Sequence, residues 1–281
     1  MLRAMRTPRL SCALAIGGLD PGGGAGLAAD LRAIASTGAF GCAVIAVVTV
    51  QSTSGLRATH PVPAKQVSEQ AREVLKCQRV RAIKVGALGV ESNVRAVSEL
   101  LAVHRGIPAI VDPVMAPSRG RGRLLAERAL AAMRSLLLPR ATLVMANVPE
   151  AEALTGKRVM NVSEAHDAAL ALCKLGAKAA LVKGGHMSGA QAVDVLALRA
   201  TGDDLGEVIE LRAKRLRIPA IHGGGCTLAS LVAGRIAHDE RDFADDSTAI
   251  VLDAVKWAKR THHKLLGASR DVGGDMRVLV P

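Results

Sequence analysis

The chain has 281 residues, 49% of them hydrophobic, and its 37 Lys and Arg against 25 Asp and Glu give a formal net charge of +12. A basic chain attracts phosphates, but the positive residues are dispersed and base stacking has little to work with, since there is no Tyr, two Phe and one Trp; no nucleic-acid partner is expected. No apolar run approaches the roughly 20 residues that cross a bilayer, and the five cysteines, odd in number and never in a C-x-x-C pair, describe neither a disulfide framework nor a zinc site.

What remains is a cytoplasmic enzyme of a reducing compartment, with no membrane partner. Length allows one large domain or two small ones; with no linker-like change in composition, a single domain over 1–281 is expected. Residues 1–9 read as a flexible tail. The stretch "MLRAMRTPRLSCALAIGGL" has the basic-then-apolar order of an export signal, yet its apolar part is short and runs straight into "DPGGGAG".

In chain order, apolar runs of strand length alternate with segments of helical spacing. The strands are "CALAIGG", "CAVIAVVTV", "AIKVG", "PAIVD", "ATLVMAN" and "AALVKGG". The helices are 25–36, 64–77, 92–104, 124–137 and 163–175. After Lys183, "AVDVLALRATGDDLGEVIELRAKRL" reads as an antiparallel hairpin, followed by helices at 225–237 and 246–266 and an irregular tail at 268–281. Such alternation predicts an α/β fold with a mostly parallel sheet covered by helices on both faces. Between strand and helix, "APSRGRGRLL" carries Arg119, Arg121 and Arg123; it is either a solvated loop or a phosphate-facing flap.

Polar residues fall at or near the carboxyl ends of the strands: Asp20, Gln51, Lys84, Asp112, Asn147 and Lys183. Open α/β sheets bind ligands outside those ends, so the six would converge on one cleft. Taken singly, Asp112 or Asn147 could equally be a helix cap.

Two glycine-rich stretches could hold phosphate. "GGLDPGGGAGLAADL" can be forced into a dinucleotide fingerprint at Gly24, Gly26 and Ala29, but the ribose-binding acid required about 20 residues later is missing, since no Asp or Glu occurs between Asp30 and Glu69. There is no G-x-x-x-x-G-K-[ST], H-E-x-x-H or G-x-S-x-G. The second stretch, "IPAIHGGGCTLASLVAG", puts Cys226 where glycines meet a helix start. There, unpaired N–H groups make an anion hole, and the helix dipole is expected to lower the thiol pKa. The alternative is a small buried cysteine that merely packs.

"GLDPGGGAGLAADL", "VTVQSTSG", "IKVGALG", "VDPVM", "ANVPEAEALTG", "VKGGH" and "HGGGCTLAS" occur in the order and spacing of motifs in the hydroxymethylpyrimidine and phosphomethylpyrimidine kinases of thiamine biosynthesis, which the chain resembles from about Ala13 to about Ala258. The resemblance implies a three-layer αβα ribokinase-like fold and a homodimer, as relatives commonly are. It implies ATP-dependent phosphorylation of 4-amino-5-hydroxymethyl-2-methylpyrimidine, and of its monophosphate. By the same resemblance Gly223, Gly224, Gly225 and Cys226 surround the transferred phosphoryl, with Cys226 where sugar-kinase relatives carry a base. Gly18, Asp20, Gln51 and Ala87 lie on the substrate side; Lys183, Asn147 and Thr227 approach ATP; Asp112 and Glu150 order Mg2+. Departures fall on the substrate side: Leu19 for serine, Ser52 for asparagine, Ala87 for methionine, and Gly224 for threonine in the anion hole. They keep a pyridoxal-type kinase and a non-catalytic pyrimidine sensor as alternatives.

Overall fold

A computed structural model describes residues 9–117, 119, 124–199 and 206–281. Strand β1 (Cys12–Leu19) is apolar throughout because both its faces are covered. Cys12, Leu14 and Ile16 pack into one hydrophobic cluster, while Ala13 and Ala15 pack into a second on the opposite face. Around it are β2 (Phe40–Ser52), β3 (Gly55–Pro61), β4 (Val80–Val85), β5 (Ala109–Val111), β6 (Leu143–Asn147), β7 (Ala179–Lys183), β8 (Gln191–Leu198) and β9 (Val208–Lys214). They form one nine-stranded sheet in the order β3-β2-β1-β4-β5-β6-β7-β8-β9. The six strands from β2 to β7 run parallel; β3 and the β8–β9 pair add antiparallel strands at the two edges.

Helices cover both faces, which makes the three layers. On one face lie α1 (Gly26–Ala35), α7 (Gly224–His238) and α8 (Ser247–Gly267), whose apolar residues share a cluster with Ile110, Leu143 and Leu181. On the other lie α2 (Ala64–Cys77), α3 (Glu91–Val103), α4 (Glu127–Ala132), α5 (Val148–Thr155) and α6 (Val162–Lys174).

Helix 64–77 falls where its spacing predicts it, and the other boundaries move by a residue or two. The predicted helix 124–137 is different: only Glu127–Ala132 is α-helical, followed by a π-helical turn at Met133–Leu137 and a 3-10 turn at Leu138–Arg140. Pro139 lacks the N–H that would continue the helix. The sequence reading contained no β3 and no α5. The expected irregular segment 268–281 is corrected in part: Arg277–Val278 form β11, paired in parallel with β10 (Ile221–His222), and Met276, Val278 and Leu279 are buried. Residues 1–8, Arg121 and Arg123 lie outside the described residues.

The core carries two thiols that burial, as the first cause, pushes up to about 11: Cys42, with Cys12 beside it adding to the rise, and Cys173, where Arg199 opposes. A raised thiol pKa leaves stability untouched below the ordinary value of 9.0 and removes it as pH rises, because only the unfolded chain ionises. The unfolding free energy from urea titration is therefore expected to fall between pH 8 and about pH 10.5, by about 1–2 kcal/mol for Cys173 alone. Cys173→Ala, compared with wild type under reducing conditions, should show the smaller fall; an equal one would discount this thiol.

Candidate active site

The carboxyl ends of the parallel strands open into a cavity of about 690 Å³. All six strand-end residues line it: Asp20, Gln51, Lys84, Asp112, Asn147 and Lys183. Gly18, Ala87, Glu150, Gly223, Gly224, Gly225 and Cys226 also reach its wall. Thr227 does not. It is 1% exposed and, one residue into the helix from Cys226, its N–H already donates to the Gly223 carbonyl at 2.9 Å.

The polar end is a charge network. Lys183 Nζ donates to Asp112 Oδ1 at 2.8 Å and stands 3.9 Å from Glu150 Oε2. Asn147 is both a cap and a wall residue: its side chain accepts from the Glu150 N–H at 2.9 Å, while Glu150 Oε2 accepts from the Asn147 N–H at 2.8 Å. Burial is the main cause that pushes the Glu150 carboxyl up to about 7; Lys183 opposes it and the Asp112 carboxylate adds to it. For Lys183, burial works against the charge, but Asp112 and Glu150 hold its ammonium above the ordinary value. Among the described residues, no group of three or more His, Cys, Asp or Glu could hold a metal ion.

The floor holds a buried ion pair. Lys84 Nζ donates to both oxygens of Asp30, at 3.0 and 2.9 Å, and Ser230 Oγ donates to Asp30 Oδ1 at 2.8 Å. Burial opposes the Lys84 charge, and Asp30 outweighs it. Lys84 thus serves the scaffold as well as the wall, since it ties β4 to α1, and through Ser230 to α7. Removing one partner of such a pair costs about 3–5 kcal/mol.

Above this floor the two glycine loops meet. Gly223 precedes α7 with φ 77°, and any Cβ there would overlap the Gly24 carbonyl and stand 2.7 Å from Ala25 Cα. No side chain separates the loops. Cys226 lies in the first turn of α7, beside the Gly26 N–H at the start of α1. The expected lowering of its pKa is not found: burial pushes the thiol up to about 12, Asp112 and Asp30 add to the rise, and Lys84 with the nearby Gly26 N–H only partly offsets it. The helix start is outweighed because the sulfur has lost its water.

Beside the first glycine loop, Asp20 is 2% exposed and accepts from the N–H groups of Gly22 and Ala25, each at 2.9 Å, and from His222 at 2.8 Å. Burial raises its carboxyl, but these bonds together hold it below the ordinary value. Ala87 packs with Leu56, Leu124 and Val114 into an apolar wall. Arg119 pairs with Asp275 at 3.5 Å, both side chains about half exposed, a surface contact with the C-terminal segment.

Several wall residues escaped the sequence reading. Asp194 accepts from the Gly184 N–H at 2.8 Å and from Lys259 Nζ at 2.5 Å. His262, whose pKa burial lowers to about 4 against the opposing pull of Asp194, meets the Gly224 carbonyl at 2.9 Å. Lys259 and His262 sit three apart on α8, so they share a face, a signal visible in "KRTHHK" but not specific. His222 stands at the head of "HGGGC" and could have been singled out.

A family model described as phosphomethylpyrimidine kinase matches residues 20–274. The hydroxymethylpyrimidine/phosphomethylpyrimidine kinase of Streptomyces coelicolor is 41% identical over 224 residues, covering 80% of each chain. The crystal structure of phosphomethylpyrimidine kinase from Clostridium difficile is 29% identical, with a TM-score of 0.72 over 90% of this chain and 98% of that one. An ADP complex of Bacillus subtilis pyridoxal kinase shares the fold at a TM-score of 0.83, over 96% of each chain with 24% identity. With residues 20–274 matched and the strand-end residues gathered on one cavity, the chain belongs to the phosphomethylpyrimidine kinase family.

Proposed function

We propose that the protein transfers the γ-phosphoryl group of ATP to the hydroxymethyl group of 4-amino-5-hydroxymethyl-2-methylpyrimidine, and then to the resulting monophosphate. The observation that carries this reading is the meeting of the Asp112–Lys183–Glu150 network, the α7 helix start and the Asp20–Gln51 wall on one cavity, in a chain of this family. The ADP bound by the pyridoxal kinase of the same fold supports ATP as the donor.

In the reaction, the acceptor oxygen forms a bond to the γ-phosphorus, the bridging bond to ADP breaks and the hydroxyl proton is released. Phosphoryl transfer asks for alignment and charge neutralisation more than for covalent catalysis. Lys183 neutralises phosphate charge. The N–H groups of Gly224, Gly225 and Cys226 have no partner within the helix, and they face the charge that builds up on the transferred group. Gln51 and the Asp20 loop hold the ring, and Cys226 positions the hydroxyl.

Asp112 and Glu150 fit Mg2+, which takes one or two carboxylates with the rest of its shell from phosphates and water. Each has one oxygen committed, to Lys183 and to the Asn147 N–H, and the mutual repulsion that helps raise Glu150 is what a cation relieves. When bound there, the ion neutralises charge on the phosphate oxygens.

A pyridoxal-type acceptor is the second reading, favoured by the small Ala87 in the apolar wall. The test is a panel of the hydroxymethylpyrimidine, its monophosphate and pyridoxal, with ADP release and phosphorylated product both measured. ATP-dependent product from the first two is expected, and Ala87→Met should sharpen the preference for them. Product from pyridoxal alone selects the second reading; binding without turnover of any compound selects a sensor.

A further inference from the structure

His222 occupies the seam between the acceptor side and the transfer side, and nothing in the transfer chemistry above uses it. Its side chain is 1% exposed. Nε2 lies 2.8 Å from Asp20 Oδ2 and 3.5 Å from the Gln51 amide. Nδ1 is buried with no hydrogen-bond partner. The ring is also clamped: a Cβ at Gly24 would overlap Cδ2 of His222 and stand 2.9 Å from Val278 Cγ1 on β11.

Hydrogen-bond accounting fixes the polarity of this contact. Asp20 accepts a backbone N–H on each oxygen and its carboxyl is held below the ordinary value, so it stands as a carboxylate, which only accepts. The shared proton therefore sits on His222 Nε2, which leaves Nδ1 as the orphaned ring atom. Thr49 gives its one hydroxyl proton to the Leu19 carbonyl at 2.8 Å. Its 3.2 Å contact with Gln51 is then best met when Gln51 turns its amide nitrogen toward Thr49 and its oxygen toward the His222 N–H. The His222 N–H thereby serves Asp20 at 2.8 Å and, at the longer 3.5 Å, Gln51, which in turn donates to Thr49.

We propose that His222 is a positioning residue that sets the acceptor ring relative to the phosphoryl-transfer site. Through its Nε2–H it holds Asp20 and orients Gln51, and as the residue directly before Gly223 it shares a backbone with the start of α7. The ring anchor and the anion hole are thus one mechanical unit. The proposal rests on the kinase reading for what the ring is, and on the geometry alone for the hydrogen bond.

Three substitutions separate this from simple packing. In His222→Gln the amide nitrogen reaches the place of Nε2; in His222→Asn it stops near that of Nδ1; His222→Leu keeps bulk and no donor. His222→Gln is expected to stay within about tenfold of wild-type kcat/KM. His222→Asn and His222→Leu should lose about a hundredfold, the size of one charge-assisted hydrogen bond. The loss should appear in kcat and in KM for the pyrimidine, with KM for ATP unchanged. Leu matching Gln, or equal losses in all three, would overturn the proposal. Imidazole 15N shifts of the wild-type protein without ligand give a reading that needs no variant to fold: an Nε2–H tautomer is expected, and an Nδ1–H tautomer overturns the proposal. Should the wild-type protein phosphorylate no pyrimidine, the kinase reading falls while the tautomer still decides the His222–Asp20 bond.

Discussion

Cys226→Ala is expected to lower kcat by about two to three orders of magnitude while ATP affinity stays within about twofold, the pattern of a group that acts on the reacting atoms and not on nucleotide binding. The state of the thiol decides how it acts. With its pKa pushed up to about 12, roughly one Cys226 in 100,000 is a thiolate at pH 7, too few for a resting general base. In a loose transition state the acceptor proton leaves late, so a strong base is not required, and a neutral S–H that orients the hydroxyl suffices. Cys226→Ser, which keeps a donor and acceptor at that place, should retain more than a tenth of the rate. The sign of the pH dependence follows: the group is protonated below about 12, so kcat between pH 6 and 9 should show no inflection that Cys226→Ser removes. An inflection near pH 8 that disappears in Cys226→Ser would sink the positioning account and restore a thiolate base. Titration should be run with saturating ATP and pyrimidine, so that kcat is what is read.

The second large effect comes from a hydrogen atom. Gly223→Ala should cost at least a hundredfold in kcat/KM and lower the thermal midpoint by several degrees, because two penalties fall together. A φ of 77° costs a side-chain-bearing residue about 1–2 kcal/mol, and the new Cβ would overlap the Gly24 carbonyl, which forces the two loops apart. Its neighbour supplies the control. A Cβ at Gly224 would meet Ile221 Cγ2 at 3.5 Å and His262 Nε2 at 3.8 Å, both ordinary contacts, so Gly224→Ala should fold and turn over close to wild type. Gly224→Thr is expected to be tolerated too. Kinetics and melting curves for the three variants check this ordering, and a harmless Gly223→Ala beside a damaging Gly224→Ala would reverse it.

What could be read from the sequence tracks how far each signal is local. The strands buried on both faces announced themselves as unbroken apolar runs, and the polar residue closing each one had nowhere to go but the sheet edge; the six that were singled out share one cavity wall. Asn147 met both of its readings at once, since capping α5 and facing the cavity use different atoms. β3 was missed because an edge strand packs unevenly, and "GLRATHP" carries no alternation. β10 and β11 are two residues each, too short for any period to show. Cys226 was placed correctly on the helix start, but its ionisation was misjudged. A helix terminus is visible in the sequence, whereas the burial that outweighs it is contributed by α1 and β4, brought from elsewhere in the chain.

The β10–β11 ladder brings the C-terminal segment beside the first glycine loop, since Val278 pairs with His222 and its Cγ1 stands 2.9 Å from where a Cβ on Gly24 would be. Closure entropy grows only slowly with loop length, so what sets this strap apart is that its two-residue ladder offers few bonds. Local opening events therefore concentrate here and not in the nine-stranded core. Under the proposed function, opening there would loosen the acceptor side and leave the Lys183, Asp112 and Glu150 network in place.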